Sequence, residues 1–337
     1  MKRYLVTGGA GFIGSNFIRY ILDKYDDVFV VNLDKLTYAG NLNNLKEFEN
    51  NPNHKLVVGD ICDRELVSKL FMEYNFDFVV NFAAESDVDK SFCNADDFIR
   101  TNVLGTQNLL NCAKECWLND GKWKKGVKFL QVSSDEVYGM LDLDDSQFFE
   151  CTPLNPQNPY AVTKATADVM VKEYFVDYNM PINITRCSNN FGPNQHTEKL
   201  IPLTISKCFD LTQIPIHGTG ENIRDWIYVL DHCRAIDLVL TKGVAGEVYN
   251  VGAHNEKTNI SVVNEIIKYL HDNYDKKISK KLIAFVQDRK VNDLRYSINF
   301  DKIKNDLGYT PSVTFEDGLK TTLDWYISNI DWLKTVK

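Results

Sequence analysis

The sequence predicts an α/β fold: a doubly wound parallel sheet carrying a second, smaller α/β unit. Three observations predict it. Short, almost wholly apolar runs alternate with helix-periodic stretches through the first half of the 337 residues, the pattern of strands buried on both faces by crossover helices. A glycine-rich turn, "VTGGAGFIGS", joins the first apolar run to the first helical stretch. After "NITRCSNNFGP" (183–193) the rhythm changes, and prolines and glycines cluster through 192–220.

The strands are expected at "RYLVTG" (3–8), "VFVVNLD" (28–34), "KLVVGD" (55–60), "FDFVVNFAA" (76–84) and "VKFLQVSS" (127–134). Helical periodicity runs through 95–116 and 160–179, and both stretches carry more apolar surface than one solvated helix needs. A late strand at 246–252 and a helix near 260–272 follow. This gives a Rossmann-type unit over 1–187 that also takes in about 227–255. The smaller substrate unit occupies mainly 188–337, built from about 188–226 and 256–337.

The bulk numbers exclude several classes. A net charge of -8, spread along the chain, argues against nucleic acid or an anionic membrane as partner. The one basic run, Lys276, Lys277, Lys280 and Lys281, reads as a solvated face. No apolar run reaches the length of a membrane span, and "MKRYLVTGG" lacks the features of a signal peptide, so a cytoplasmic protein is expected. The eight cysteines include no C-x-x-C pair. Reduced thiols and no metal site are the expectation.

Gly8-x-x-Gly11-x-x-Gly14 follows a strand and opens a helix, the context in which such glycines cradle a pyrophosphate on a helix N-terminus. Asp34 ends the second strand, where a carboxylate can accept from both ribose hydroxyls and repels a 2′-phosphate. NAD is therefore expected rather than NADP. Asp60 and Ile61, after the third strand, border the adenine on this reading. Asp60 reads equally well as a helix N-cap.

"PYAVTK" places Tyr160 and Lys164 one helical turn apart. An ammonium near a phenol lowers its pKa, and such a phenol can take the proton of an alcohol as hydride leaves. "VSSDEVYG" (132–139) ends a strand on two serines and two adjacent carboxyls, Asp135 and Glu136. Alone, that pair could equally be the acid cluster of a helix N-terminus.

With "NLDKLTYAGNL", "GDICD", "FAAES", "TNVLGT", "RCSNNFGP", "EKLIP", "RDWIYVLDHC" and "YNVGAHNEKTN", these motifs make the chain similar to the nucleoside-diphosphate-glucose 4,6-dehydratases. These are extended short-chain dehydrogenase/reductases, and the branch acting on dTDP-glucose is nearest. The resemblance runs from residue 3 to about 327. It implies NAD-dependent oxidation at C4, with Tyr160 and Lys164 and with Ser134 near the C4 oxygen. Glu136 would remove the C5 proton and Asp135 would protonate the departing C6 hydroxyl. Hydride would return to C6, giving the 4-keto-6-deoxy sugar.

The resemblance implies that Phe12, Ile13, Lys35, Thr37, Ala83, Ala84 and Ser86 join the cofactor set. Glu85, Asn189, Lys199, Leu200, Pro215, His217, Arg224, Asn259, Arg289, Asn292 and Tyr296 would hold the nucleotide sugar. It also implies a homodimer through the helices near 95–116 and 160–179. Three positions depart from the usual dTDP-glucose pattern: His217 replaces tyrosine, Asn292 replaces histidine in "KVNDLRY", and Asp87 replaces histidine after "AES". Serine at 134 replaces the usual threonine and keeps the hydroxyl. UDP-glucose is the alternative substrate. A 4-epimerase would need Tyr160 and Lys164 but has no use for the two acids, and a non-catalytic NAD-binding protein commonly lacks the tyrosine or the lysine.

Overall fold

The computed structural model describes residues 1–144, 146–288 and 293–336. Seven parallel strands form the main sheet: β1 (Lys2–Thr7), β2 (Val28–Asp34), β3 (His54–Val58), β4 (Phe78–Asn81), β5 (Lys128–Ser134), β6 (Ile182–Cys187) and β10 (Val248–Val251). Their order is β10-β6-β5-β4-β1-β2-β3. The period of two sends alternate side chains to opposite faces. Tyr4, Val6, Val30, Val80 and Leu130 enter one core, with helices α1 (Phe12–Lys24) and α6 (Val229–Lys242). Leu5, Val31, Val79 and Phe129 enter the other, with α2 (Arg64–Tyr74), α3 (Thr106–Trp117) and α4 (Pro159–Tyr178).

The order reverses between β1 and β4, which lie side by side. Loops leaving their carboxyl ends diverge there and open a crevice, the usual ligand position in such sheets.

Three strands form a second sheet, in the order β11 (Glu256–Thr258), β9 (Ile223–Tyr228), β7 (Asn189–Phe191), with β9 parallel to β7 and antiparallel to β11. β8 (Ile214–His217) and β12 (Ile283–Val286) form a separate parallel pair. With α5 (Leu200–Phe209), α7 (Asn259–Asn273) and α8 (Phe315–Ser328), they enclose a third core around Ile205, Ile216, Ile266, Leu323 and Tyr326.

The helix expected over 95–116 is not uniform. Ala95–Phe98 and α3 are α-helical, but Ile99–Gly105 between them widens to π-helical bonding. Asn102 in that turn is buried. Its Oδ1 accepts from the Glu85 amide at 2.9 Å, and its Nδ2 donates to the Glu85 carbonyl at 3.1 Å and to the Thr163 hydroxyl at 2.9 Å. A widened turn inside an α-helix re-aims one side chain, and here it aims Asn102 at the cleft-lining strand loop. Apolar periodicity carries no signal for such a turn.

Candidate active site

One cleft follows the crevice between β1 and β4. It is lined by the glycine turn, the ends of β2 and β5, the start of α4 and the loop 187–199. The glycine turn is shaped for close approach. Gly8 has φ +69°, and a Cβ on it would sit 2.8 Å from the Ala83 nitrogen. A Cβ on Gly14 would meet the Gly8 carbonyl oxygen at 2.4 Å. Gly11 caps α1 without a side-chain bond, and the first turn holds no acid. Free N–H groups and the positive helix end therefore face a site free of acidic side chains in that turn, as a pyrophosphate needs.

Asp34 is buried. Its Oδ2 accepts from the Ala10 amide at 2.8 Å and its Oδ1 from the Leu36 amide at 2.7 Å, and each oxygen keeps acceptor capacity toward the cleft it lines. The cap of α2 is Asp63, which accepts from the Leu66 amide at 3.0 Å. Asp60 instead accepts from the Cys62 amide and pairs with Lys35 at 2.9 Å, both residues of the pair lining the cleft. Of its two readings, the helix cap falls away.

β5 delivers the acid pair. Ser134 caps the 3-10 turn Asp135–Tyr138, and its Oγ accepts from the Glu136 amide at 3.2 Å. The same hydroxyl donates to Asp135 Oδ1 at 3.2 Å. Asp135 is 2% exposed, while Glu136 is half-buried. Burial, then Glu136 and Asp225, hold the Asp135 carboxyl well above the usual range. Burial also raises Glu136, but the Asn158 amide, which donates to its Oε2 at 3.0 Å, and the Lys199 and Arg224 charges pull it back. Two adjacent carboxyls are thus pushed apart, the more buried one toward the neutral acid.

α4 supplies the other side. Asn158 Oδ1 accepts from the Ala161 amide at 2.8 Å and Pro159 opens the helix. Tyr160 and Lys164 both line the cleft. The expected lowering of the Tyr160 pKa is corrected here: burial first, then Glu136 and Cys187, push the phenol up, and the Ser134 hydroxyl pulls it back. The ammonium is engaged elsewhere. Lys164 Nζ donates to the Val132 carbonyl at 2.6 Å, and burial depresses its own pKa.

The cleft brings together the cofactor and catalytic sets, with Glu85, Asn189 and Lys199 of the substrate set. Leu200 opens α5 beside Lys199. Pro215 and His217 lie on β8, where His217 Nδ1 is 3.2 Å from the Gln287 carbonyl oxygen. Asn259 begins α7. None of these four lines the cleft. Arg224 stacks its guanidinium over the Tyr296 ring at 4.4 Å; its charge pulls both Asp135 and Glu136 down, and Glu136 in turn pushes the Tyr296 phenol up. Asp225 accepts from the Ala253 and Asn255 amides, and Asp231 pairs with Arg234. Arg289 and Asn292 lie outside the described residues.

Sequence reasoning missed Asn158, which caps α4 and holds Glu136 at once; "NPY" carried only the capping signal. It also missed Glu198, a cleft-lining carboxylate beside Lys199 at 3.2 Å. Asp135 Oδ2, Ser188 Oγ, Asn189 Oδ1, Gln195 Oε1 and Glu198 Oε2 are buried without a hydrogen-bond partner among the described residues, and all five residues line the cleft. Unmet polar groups gathered in one cleft suit a ligand rich in hydroxyls, each able to donate and accept.

Comparison with known proteins agrees with that chemistry. Residues 5–322 match the family model described as GDP-mannose 4,6 dehydratase. The dTDP-glucose 4,6-dehydratase of Neisseria meningitidis serogroup B is 45% identical, with 100% of this chain and 96% of the relative covered. The dTDP-glucose 4,6-dehydratase of Bacillus anthracis, solved in complex with NAD, superposes with a TM-score of 0.90 at 44% identity over 100% of both chains. DesIV of Streptomyces venezuelae, the same activity by name and also solved with NAD, gives 0.90 at 43% over 99% of this chain and 100% of its own. The chain belongs to the GDP-mannose 4,6 dehydratase family and, within it, to the dTDP-glucose 4,6-dehydratases.

Proposed function

We propose that the chain is a hydro-lyase converting dTDP-glucose to dTDP-4-keto-6-deoxy-glucose with internally recycled NAD. The observation that carries this is the adjacent Asp135 and Glu136, the first almost fully buried and the second half-buried, opening on the same cleft as Tyr160. NAD would be held by the glycine turn and α1 N-terminus at its pyrophosphate and by Asp34 at its adenosine ribose. When bound there, NAD would supply the acceptor for the C4 hydride and its donor to C6, and its positive charge would favour the Tyr160 phenolate.

Tyr160 takes the C4 hydroxyl proton, with Ser134 beside the same oxygen. The resulting 4-ketone acidifies C5–H. Glu136 removes that proton, and the electron pair forms the C5–C6 double bond as the C6–O bond breaks. Asp135 gives its proton to the leaving hydroxyl, which departs as water. Glu136 then returns a proton to C5. Lys199 and Arg224 face the diphosphate, where guanidinium and ammonium suit phosphate oxygens. The cofactor unit is assigned to 1–187 with about 227–255, and the substrate unit mainly to about 188–226 and 256–337.

Incubation with dTDP-glucose or UDP-glucose, followed by mass spectrometry, tests the substrate. Loss of water is expected from dTDP-glucose in preference; equal or faster loss from UDP-glucose overturns the choice of base, and loss from neither overturns the dehydratase.

The partner is a second copy of the chain. Val162, Val169 and Val176 recur every seven residues on α4 and are exposed, as are Ile99 and Leu104 on the neighbouring helix. Such a stripe fits helix-on-helix pairing. Light scattering is expected to return the mass of two chains, and a single-chain mass contradicts the pairing. No helix among the described residues is long and apolar enough to cross a membrane.

A further inference from the structure

Tyr38 ties together segments distant in sequence. It lies in the loop after β2, between Thr37 and Ala39, which line the cleft. Its hydroxyl is 3.2 Å from Ser86 Oγ, 48 residues away, and donates to Glu198 Oε1 at 3.4 Å, 160 residues away. Ser86 and Glu198 line the cleft on its other sides. Lys199 Nζ closes the ring of contacts, donating to the Ser86 carbonyl at 2.9 Å. On the outer face, Lys90 Nζ stands 3.6 Å from the centre of the Tyr38 ring. Asp87 holds that lysine: its Oδ1 accepts from the Lys90 amide at 3.1 Å, and its carboxylate lies 3.5 Å from Nζ. Asp87 is the residue that departs from the family's usual histidine, and here it places a cation over a ring.

We propose that Asp87, Lys90 and Tyr38 form a strap across the outer rim of the cofactor cleft that slows release of the bound dinucleotide. The inference rests on the NAD reading of the cleft. An isolated surface ion pair contributes little. This one matters because it seats a half-buried ring whose hydroxyl joins two cleft walls, so the walls part only when the ring leaves its place. A cycle that takes hydride from the sugar and returns it to the same sugar needs its cofactor to stay between turnovers, and a strap on the rim serves that need.

Exchange of bound NAD for added labelled NAD measures the effect. Lys90→Met and Tyr38→Phe are each expected to speed exchange about 3- to 10-fold, the range of a cation–π contact or one hydrogen bond. Lys90→Arg keeps a cation over the ring and is expected to exchange at the wild-type rate. With NAD saturating, Lys90→Met is expected to turn over within about twofold of wild type, since a rim contact adds nothing specific to the transition state. Wild-type exchange in Lys90→Met, with or without a lower melting temperature, overturns the strap. Wild-type protein that binds no NAD overturns the cofactor reading instead.

Discussion

Glu136→Gln is expected to lower turnover of dTDP-glucose by about 10²–10⁴-fold, the range lost with a positioned proton-transfer group. The loss falls on a defined step. Oxidation at C4 needs Tyr160, so a single turnover should still reduce the bound cofactor, seen as near-ultraviolet absorbance of reduced nicotinamide. Exchange of the C5 hydrogen with deuterated solvent should cease. Asp135→Asn should behave differently, losing water release while keeping C5 exchange, because the base remains. The pH profile follows the same assignment. Glu136 must be ionised and burial raises its pKa, so turnover falls as pH drops through a value above its ordinary 4.5. Asp135 must be protonated, so deprotonation at higher pH removes the acid. If both variants kept wild-type turnover, the site would need no elimination chemistry and a 4-epimerase would fit better.

Asp168→Ala is expected to cost about 3–5 kcal/mol of stability, the usual loss when one partner of a buried ion pair is removed. Arg186 Nε donates to Asp168 Oδ2 at 2.9 Å, with the two side chains 7% and 1% exposed. Arg186 Nη1 also donates to the Tyr138 hydroxyl at 2.9 Å, and that hydroxyl donates to Asn250 Oδ1 at 2.7 Å. Without Asp168 the guanidinium stays buried with its charge uncompensated. Asp168 is also one turn beyond Lys164 on α4 and raises its pKa, so the variant should weaken the site as well as the fold. Denaturant titration measures it. Asp168→Leu with Arg186→Met, which removes both charges, should recover most of the loss. A loss below about 1 kcal/mol in the single variant contradicts this account of the pair.

Most of the main sheet was legible because β1, β2, β4 and β5 are largely buried and mainly apolar; β6 was not, because its buried run INITRC carries Asn183, Thr185 and Arg186. The glycine turn was legible because three glycines must sit where a Cβ would strike backbone. Tyr160 and Lys164 were legible by spacing, but the direction of the phenol's shift was not. It depends on burial of the phenol and on the Glu136 and Cys187 groups brought beside it from other elements. The π-helical turn at 99–105, the double use of Asn158 and the strap at Tyr38 share that character. Each is decided by a partner far along the chain, and periodicity reports only near neighbours.

The most direct measurement follows one hydrogen. dTDP-glucose carrying deuterium at C4 should give a dehydrated product with the deuterium at C6, because hydride leaves and returns within one active site. Water loss without deuterium at C6, or deuterium returned to C4 with the C6 hydroxyl intact, would contradict the account.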